Sequence, residues 1–402
     1  MSTPDTLGGK AVLTLAHVVG MVDMVALPVW IGALMQYYRY SPPQAGVTVT
    51  VFLLGVVLSS GIFAPRFNRL SKRAAAASGF AVAAGAFYIA SLQPVEAASF
   101  GRLAALHALA GMGVGCALTF THGCIGRSAN PHRLFAVVNI ALGFFALAFL
   151  GGMPQLLQHT SASMLFIIIA ASMSLAAVMS ALAFPTPPDT APGSAKAASK
   201  VTPSAAAPSL PVRIPRAAWF VIGVVVCLTL NQAMVFSFVE RIGAERGFGM
   251  DRVNGVLIAL GLVNLLPGAL AALLQTRWSP VAVGIAGPIG QALLAVTMSS
   301  TLVFAPYAVA ASVYVFMVIF THNFLFGLLS RLDPSGRSAA ATPAMMMMGS
   351  CIGPALGGVI VQGFGYPGLG WAACVVAAVG VFGMLKVRKH LPGPTALQPA
   401  HA

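Results

Sequence analysis

A single carboxylate, Asp23, interrupts the apolar run 11–37, and across the twelve apolar runs of the chain it is the sole Asp, Glu, Lys or Arg. A carboxylate in hydrocarbon is costly, so it faces a protein interior or a water-lined route and is by default a candidate functional group. Burial changes which of its protonation states costs less, so it can exchange a proton or bind a cation. The competing reading is a hydrogen-bonded Asp that pins helix packing. Four histidines, His17, His107, His122 and His322, also lie in apolar runs. Imidazole relays protons and binds polar ligands, and His122 and His322 occupy corresponding runs, the fourth and the tenth. His17, Met21 and Met24 share one helical stripe, a soft donor set of the kind that suits copper(I). Met is also a common filler of irregular cores, and Met345–Met348, being consecutive, radiate around a helix. No metal and no cofactor is assigned.

Neutral polar residues complete the set. Asn139, Asn231, Gln232, Asn264, Gln291, Tyr314 and Asn323 lie in apolar runs, where amides and hydroxyls must find partners. Asn231 and Gln232, in the counterpart of the run that holds Asp23, are the foremost candidates for substrate contact. His17, His122, Asn139, Asn264, Tyr314, His322 and Asn323 stand beside them. Glu240, Glu245 and Asp251, next to Arg241, Arg246 and Arg252, read as a solvated gate or plain surface. The chain has no phosphate-cradling loop with Lys and no His-Glu-x-x-His. That argues against an enzyme or a nucleotide-driven pump, so the energy must come from a gradient.

Membrane helices must position these groups. Of 402 residues, 58% are hydrophobic and 7% charged, against about 25% charged in soluble domains. The runs fall at 11–37, 46–64, 76–94, 103–126, 134–155, 162–184, 217–239, 253–275, 280–300, 304–329, 339–362 and 368–385. Each is close to or above the roughly 17–25 residues that cross a bilayer as a helix. The expected fold is therefore an all-α membrane protein of twelve transmembrane helices. The first run is too long for a signal-peptide core and lacks a small-residue cleavage site. With the N-terminus inside, 17 of the 22 Lys and Arg fall in cytoplasmic segments, and Arg39, Arg102, Arg241, Arg246 and Arg252 fall outside. This asymmetry places both termini in the cytoplasm. It also accounts for the net charge of +14 through anionic lipid head groups rather than nucleic acid. Cys116, Cys124, Cys227, Cys351 and Cys374 all lie in runs and read as small buried hydrophobes.

The Pro-, Ala-, Ser- and Lys-rich segment Phe184–Arg216 offers no apolar face and is expected to be a disordered cytoplasmic linker. It divides the chain into a six-helix unit at 1–184, the linker at 185–216, and a second six-helix unit with a short tail at 217–402. The units look duplicated. Gly143–Gly152 ("GFFALAFLGG") aligns with Gly349–Gly358 ("GSCIGPALGG") at an offset of 206, Ile31–Ala33 with Ile242–Ala244 at 211, and Phe120–His122 with Phe320–His322 at 200. In such repeats, substrate sites lie between the halves near the midplane.

In its twelve runs, central linker, inside termini and duplicated halves, the chain resembles the major facilitator superfamily. The loop Gly61–Arg73 ("GIFAPRFNRLSKR") is similar to that family's loop between its second and third helices. Gly61, Arg66 and Arg69 fit the pattern, while Pro65 replaces its acid and Asn68 its second Gly. In the family the loop acid is thought to latch one state through a charge pair, so the resemblance implies a gating loop without that latch. Gly353 and Pro354, in a GxxxGPxxGG pattern, resemble an exporter signature that the family places in the fifth helix, and read as a bending point.

The resemblance implies a secondary transporter that rocks two pseudo-symmetric six-helix bundles, with the fourth and tenth helices near a central route. The expected activity is proton-coupled transport of a small organic molecule across a bacterial inner membrane by a monomer, with Asp23 carrying the proton. The absence of Lys and Arg from the runs argues against a strongly anionic substrate. Export of a drug, siderophore or metabolite is preferred over import by symport, and a transport-dead sensor or scaffold is the rival of another kind.

Overall fold

The computed structural model describes residues 3–95, 99–186, 214–333 and 342–391. Most of the expected linker, and the end of the tail, lie outside the described residues. Every regular element among them is helical. The first passage is α1 (Leu7–Gly20) and α2 (Val22–Gln36). The second to sixth are α3 (Pro42–Phe63), α4 (Lys72–Ser91), α5 (Phe100–Ile125), α6 (Pro131–His159) and α7 (Ser163–Ala183). The seventh is α8 (Arg216–Phe236) with α9 (Val239–Glu245), and the eighth α10 (Met250–Val263) with α11 (Pro267–Leu274). Then come α12 (Pro280–Ser300), α13 (Phe304–Leu332) and α14 (Thr342–His390).

Eleven stretches among the described residues are long and apolar enough to cross a membrane. α14 runs 49 residues, about 73 Å at 1.5 Å per residue, more than twice a hydrocarbon core of about 30 Å. Its dihedrals turn non-helical at Gly365 (φ 67°, ψ −177°), a conformation open to glycine, with Pro367 two residues on. The chain reverses there, inside the gap left between the runs 339–362 and 368–385, and α14 supplies the last two of twelve passages.

Three other passages are broken mid-way. The first breaks at Met21 (φ −95°, ψ 23°), after Gly20, where a Cβ would lie 2.5 Å from Leu118. The seventh breaks after Ser237, whose hydroxyl bonds back to the Ala233 carbonyl and so competes with the helical ladder. The eighth breaks at residues 264–266 because Pro267, at the first position of α11, has no N–H to continue the ladder.

Alternation of passages sorts the helix ends onto two faces. The basic face gathers Arg66, Lys72, Arg127, Arg216, Arg277 and Lys386; the far face holds the turns near residues 37–41, 160–162, 246–249, 301–303 and 365. α1–α7 pack among themselves and α8–α14 do the same. Three pairings cross between the halves: α3 with α14, α6 with α10, and α2 with α8 and α9. In a duplicated chain the second passage corresponds to the eighth and the fifth to the eleventh, so the first two pairings are images of each other. The third joins the first passage to its own counterpart. This is the contact pattern of a pseudo-twofold frame.

Small residues let the halves touch. A Cβ on Gly46 would lie 2.1 Å from the Pro354 carbonyl oxygen, and one on Gly358 2.3 Å from that of Pro42. The Ala355 amide donates to Thr50 Oγ1 at 3.1 Å. On the other side, Gly151 meets Ile258 and Gly261 meets Leu147. Each of these approaches lies at mid-height or nearer the far face.

Within the first half, Trp30 is fully buried among Phe52, Phe87 and His107, with ring centroids 5.3–5.5 Å apart. Its indole N–H donates to His107 Nε2 at 3.1 Å, and His107 Nδ1 donates to the Leu103 carbonyl at 2.7 Å. The second half is stapled by polar bonds: Gln291 to the Leu228 carbonyl at 3.0 Å, the Tyr314 hydroxyl to the Asn231 carbonyl at 2.8 Å, and Asn231 Nδ2 to the Ala373 carbonyl at 3.0 Å.

Candidate functional site

The break at Met21 governs the surroundings of Asp23. An unbroken helix would leave that carboxyl on the side of a rod whose amides are all engaged. Here Asp23 sits in the first turn of α2, with the backbone amides of Asp23 and Met24 beside its carboxyl. The positive end of a helix favours an anion, while burial favours the neutral form. The side chain is 2% exposed and its Oδ1 has no hydrogen-bond partner. It lies mid-way along the first passage, Leu7–Gln36. One oxygen of this carboxyl is therefore buried without a packing bond.

One turn and a half before it, His17 Nδ1 meets His122 Nε2 of α5 at 3.0 Å, with ring centroids 5.2 Å apart. One ring donates and the other accepts, so the pair holds a proton between two nitrogens. His17 Nε2 is buried without a partner. The repeat drew attention to His122 with His322, but the two are not neighbours. His322 is turned into its own half, facing the backbone of Val225 on α8 and stacked on Phe326 at 5.4 Å. The stripe of His17, Met21 and Met24 is interrupted by the break, and no group of three or more His, Cys, Asp or Glu among the described residues is placed to hold a metal.

The amides divide by what their polar atoms do. Asn231 and Tyr314, the first a foremost candidate for substrate contact, spend their donors inside the second half as described above, although Asn231 Oδ1 stays unpartnered. Gln232 is buried at 8% exposure beside them. Asn264 caps α10 at the break of the eighth passage, with Oδ1 buried and free. Asn139 is exposed and bonds to the Phe135 carbonyl of its own helix at 2.8 Å. Asn323 is exposed and lines, with Gln275 and Phe324, a pocket of about 230 Å³ between α11 and α13.

Gly353 packs against Ala233 and Met234 of α8, and the carbonyl of Pro354 faces Gly46. The non-helical dihedrals of α14 fall at Gly365, so the expected bending point is a packing seam. In the basic-face loop, Gly61 has no atom within 4 Å of a Cβ position, Arg66 bonds to the Ile62 carbonyl, and Arg69 is exposed. The loop is tied down by other residues. Phe67 covers Gly123 and lies under the cations of Lys72 and Arg127, 5.1 and 4.7 Å from its centroid. Arg127 also donates to Asn68 at 2.8 Å, so the residue in place of the family's second Gly carries the tie.

Glu240 departs most from expectation. Read as flanking a solvated loop, it is 5% exposed, because the seventh passage continues as a helix to Glu245. Asp23 is therefore not the sole acid within a spanning helix. No single local pattern signals this; the apolar run ends one residue before Glu240.

Between the first two passages, Tyr37, Tyr38 and Tyr40 are held above the usual phenol range by burial, and Tyr37 lies near Glu240 across the boundary between the halves.

Comparison with known proteins agrees with this frame. Residues 12–350 match the family described as Major Facilitator Superfamily. The fold is similar to the crystal structure of a D-xylose-proton symporter, with TM-score 0.69 and 16% identity over 96% of this chain and 98% of that one. It is equally similar to the nucleoside transporter NupG, with TM-score 0.68 and 14% identity over 96% and 99%. No curated protein matches the chain.

Proposed function

The chain belongs to the major facilitator superfamily and is a secondary transporter of a small molecule; on that premise we propose that it couples transport to protons through Asp23. The observation that carries this reading is a buried carboxyl with a free oxygen at a mid-height helix break. A carboxyl with one amide-rich side and one dry side changes protonation for a small change in wetting, and rocking of the halves supplies that change. The His17–His122 pair extends the proton path toward the basic face. Gln232 and Asn264, whose side chains have no bond within their own halves, are the amides available to a substrate, while Asn231, Tyr314 and His322 stand behind them as scaffold.

The basic face is cytoplasmic by the positive-inside rule. The contacts between the halves at mid-height and toward the far face support taking the far-face gate as closed in the conformation described. The substrate is a neutral, cationic or zwitterionic organic molecule, with export preferred over import.

The test is proton movement on addition of candidate compound classes to proteoliposomes. Asp23→Asn is expected to abolish substrate-dependent proton flux and keep substrate exchange. Coupled proton flux through Asp23→Asn removes the assignment. Inside-out against right-side-out vesicles decides direction: exchange of outside protons for inside substrate supports export, and co-movement in one direction replaces it with import.

A further inference from the structure

Glu240 lies where the halves meet. Its carboxyl rests on the backbone of α2: a Cβ on Gly32 would lie 2.5 Å from Oε1, 2.8 Å from Cδ and 2.9 Å from Oε2. A side chain at position 32 would therefore occupy the carboxyl's seat. Oε2 is buried without a hydrogen-bond partner.

One cation is near enough to act on it: Arg241, next in the chain, whose ion pair at 2.9 Å is with Glu245. Tyr307 of α13 donates its hydroxyl to the Val239 carbonyl at 2.7 Å, and Tyr37, at the end of α2, faces Glu240 as a phenol. On α10, Asp251 and Arg252 are exposed, Arg252 lying over the Phe304 ring. α12 carries no ionisable side chain. A carboxylate seated here would be a buried charge with no ion pair of its own, the nearest cation being engaged by Glu245, whereas the neutral acid fills the same seat without that penalty.

We propose that Glu240 is a second proton-binding site, the catch of the far-face gate: as the neutral acid it seats on Gly32 and holds α2 against α9, and on ionising it leaves that seat and releases the gate. This rests on the reading that the halves rock, but not on Asp23 being the coupling group.

The experiment measures the distance between spin labels at Ser161 and Gln362, both exposed and on opposite halves, in the full chain in nanodiscs as pH is varied. The wild type is expected to shift from the short to the long distance as pH rises, the open-to-closed ratio growing by about tenfold per pH unit while one proton is linked to the gate. Glu240→Gln, neutral and of equal size, is expected to stay closed throughout. Gly32→Ala, which displaces the carboxyl, is expected to open at all pH values. A pH response that persists in Glu240→Gln overturns the proposal, as does a wild type with no response. If Gly46→Ala also fails to lengthen the distance, the rocking reading falls with it; if Gly46→Ala opens the gate normally, the assignment of Glu240 alone is at fault.

Discussion

Gly46→Ala tests the frame where its geometry is least forgiving. The added Cβ would stand 2.1 Å from the Pro354 carbonyl oxygen, 2.7 Å from its carbon and 3.1 Å from Ala355 Cα. All three are backbone atoms, so no rotamer change relieves the clash. A carbon and a carbonyl oxygen in contact sit about 3.3 Å apart, so α3 and α14 must separate by roughly 1 Å at this level. Overpacking of this kind costs about 1–3 kcal/mol. The cost falls on the conformation closed at the far face and not on one in which α3 and α14 have parted. The equilibrium should therefore move toward far-face opening by about 5- to 150-fold. The Ser161–Gln362 label distance reads this directly, with Gly61→Ala as control: that position lies on the same helix with nothing within 4 Å and should leave the distribution unchanged. Gly358→Ala, 2.3 Å from the Pro42 carbonyl oxygen, should act alike. The double variant should fall short of the sum, because the first substitution has already parted the helices. If Gly46→Ala leaves the closed population unchanged in a folded protein, α3 and α14 do not separate in the working cycle.

Two stability predictions complete the set. Trp30→Phe keeps the ring in its aromatic cluster but leaves His107 Nε2 buried without the indole N–H now 3.1 Å away, which should cost about 1–3 kcal/mol in denaturant or thermal unfolding in detergent; an unchanged melting curve would mean that this hydrogen bond adds nothing. His17→Leu should destabilise by a similar margin by orphaning His122 Nε2, 3.0 Å from His17 Nδ1, and His17→Leu with His122→Leu should recover part of the loss, since removing both partners of a buried hydrogen bond costs less than removing one. Strict additivity in that cycle would show that the two rings do not interact.

The spans and the chain reversal were legible because they follow from local pattern. Long apolar runs have one solution in lipid, and Gly365 with Pro367 interrupts the last helix at the place where the runs part. What depended on packing was not legible. The break at Met21 has no proline to announce it; it is tied to Gly20 pressing on Leu118, nearly a hundred residues away. Asn231 read correctly as an amide that must find a partner, but whether that partner is substrate or the Ala373 carbonyl is decided by the twelfth passage lying alongside it. Glu240 was misplaced because a hydropathy run ends at the first charge, whereas a helix ends where its hydrogen bonds do. The basic-face loop resembled its family at Gly61, Arg66 and Arg69, yet the contacts fall on Phe67 and Asn68, one position from the conserved pattern.

The duplicated tripeptide shows how the two halves have diverged. His122 and His322 stand 200 residues apart in equivalent passages, and each faces the first passage of its own half. His122 finds a second imidazole there, His17, and His322 finds the backbone of Val225. Conversely, Gly32 and Gly243 match at an offset of 211, but the position matching Glu240 at that offset is Val29. The frame is thus nearly two-fold while its ionisable groups are not: Asp23 and the histidine pair belong to the first half at mid-height and toward the basic face, and Glu240 belongs to the second at the far gate. The axis that relates the two halves runs along the membrane normal and exchanges the halves, not the faces, so the faces differ whether or not the halves are alike. What the ionisable groups add is a difference in height, and with it in which side can wet them. If Asp23 is wetted from each side in turn, as proposed, and Glu240 when the far side opens, opening depends on the proton concentration of the side being opened.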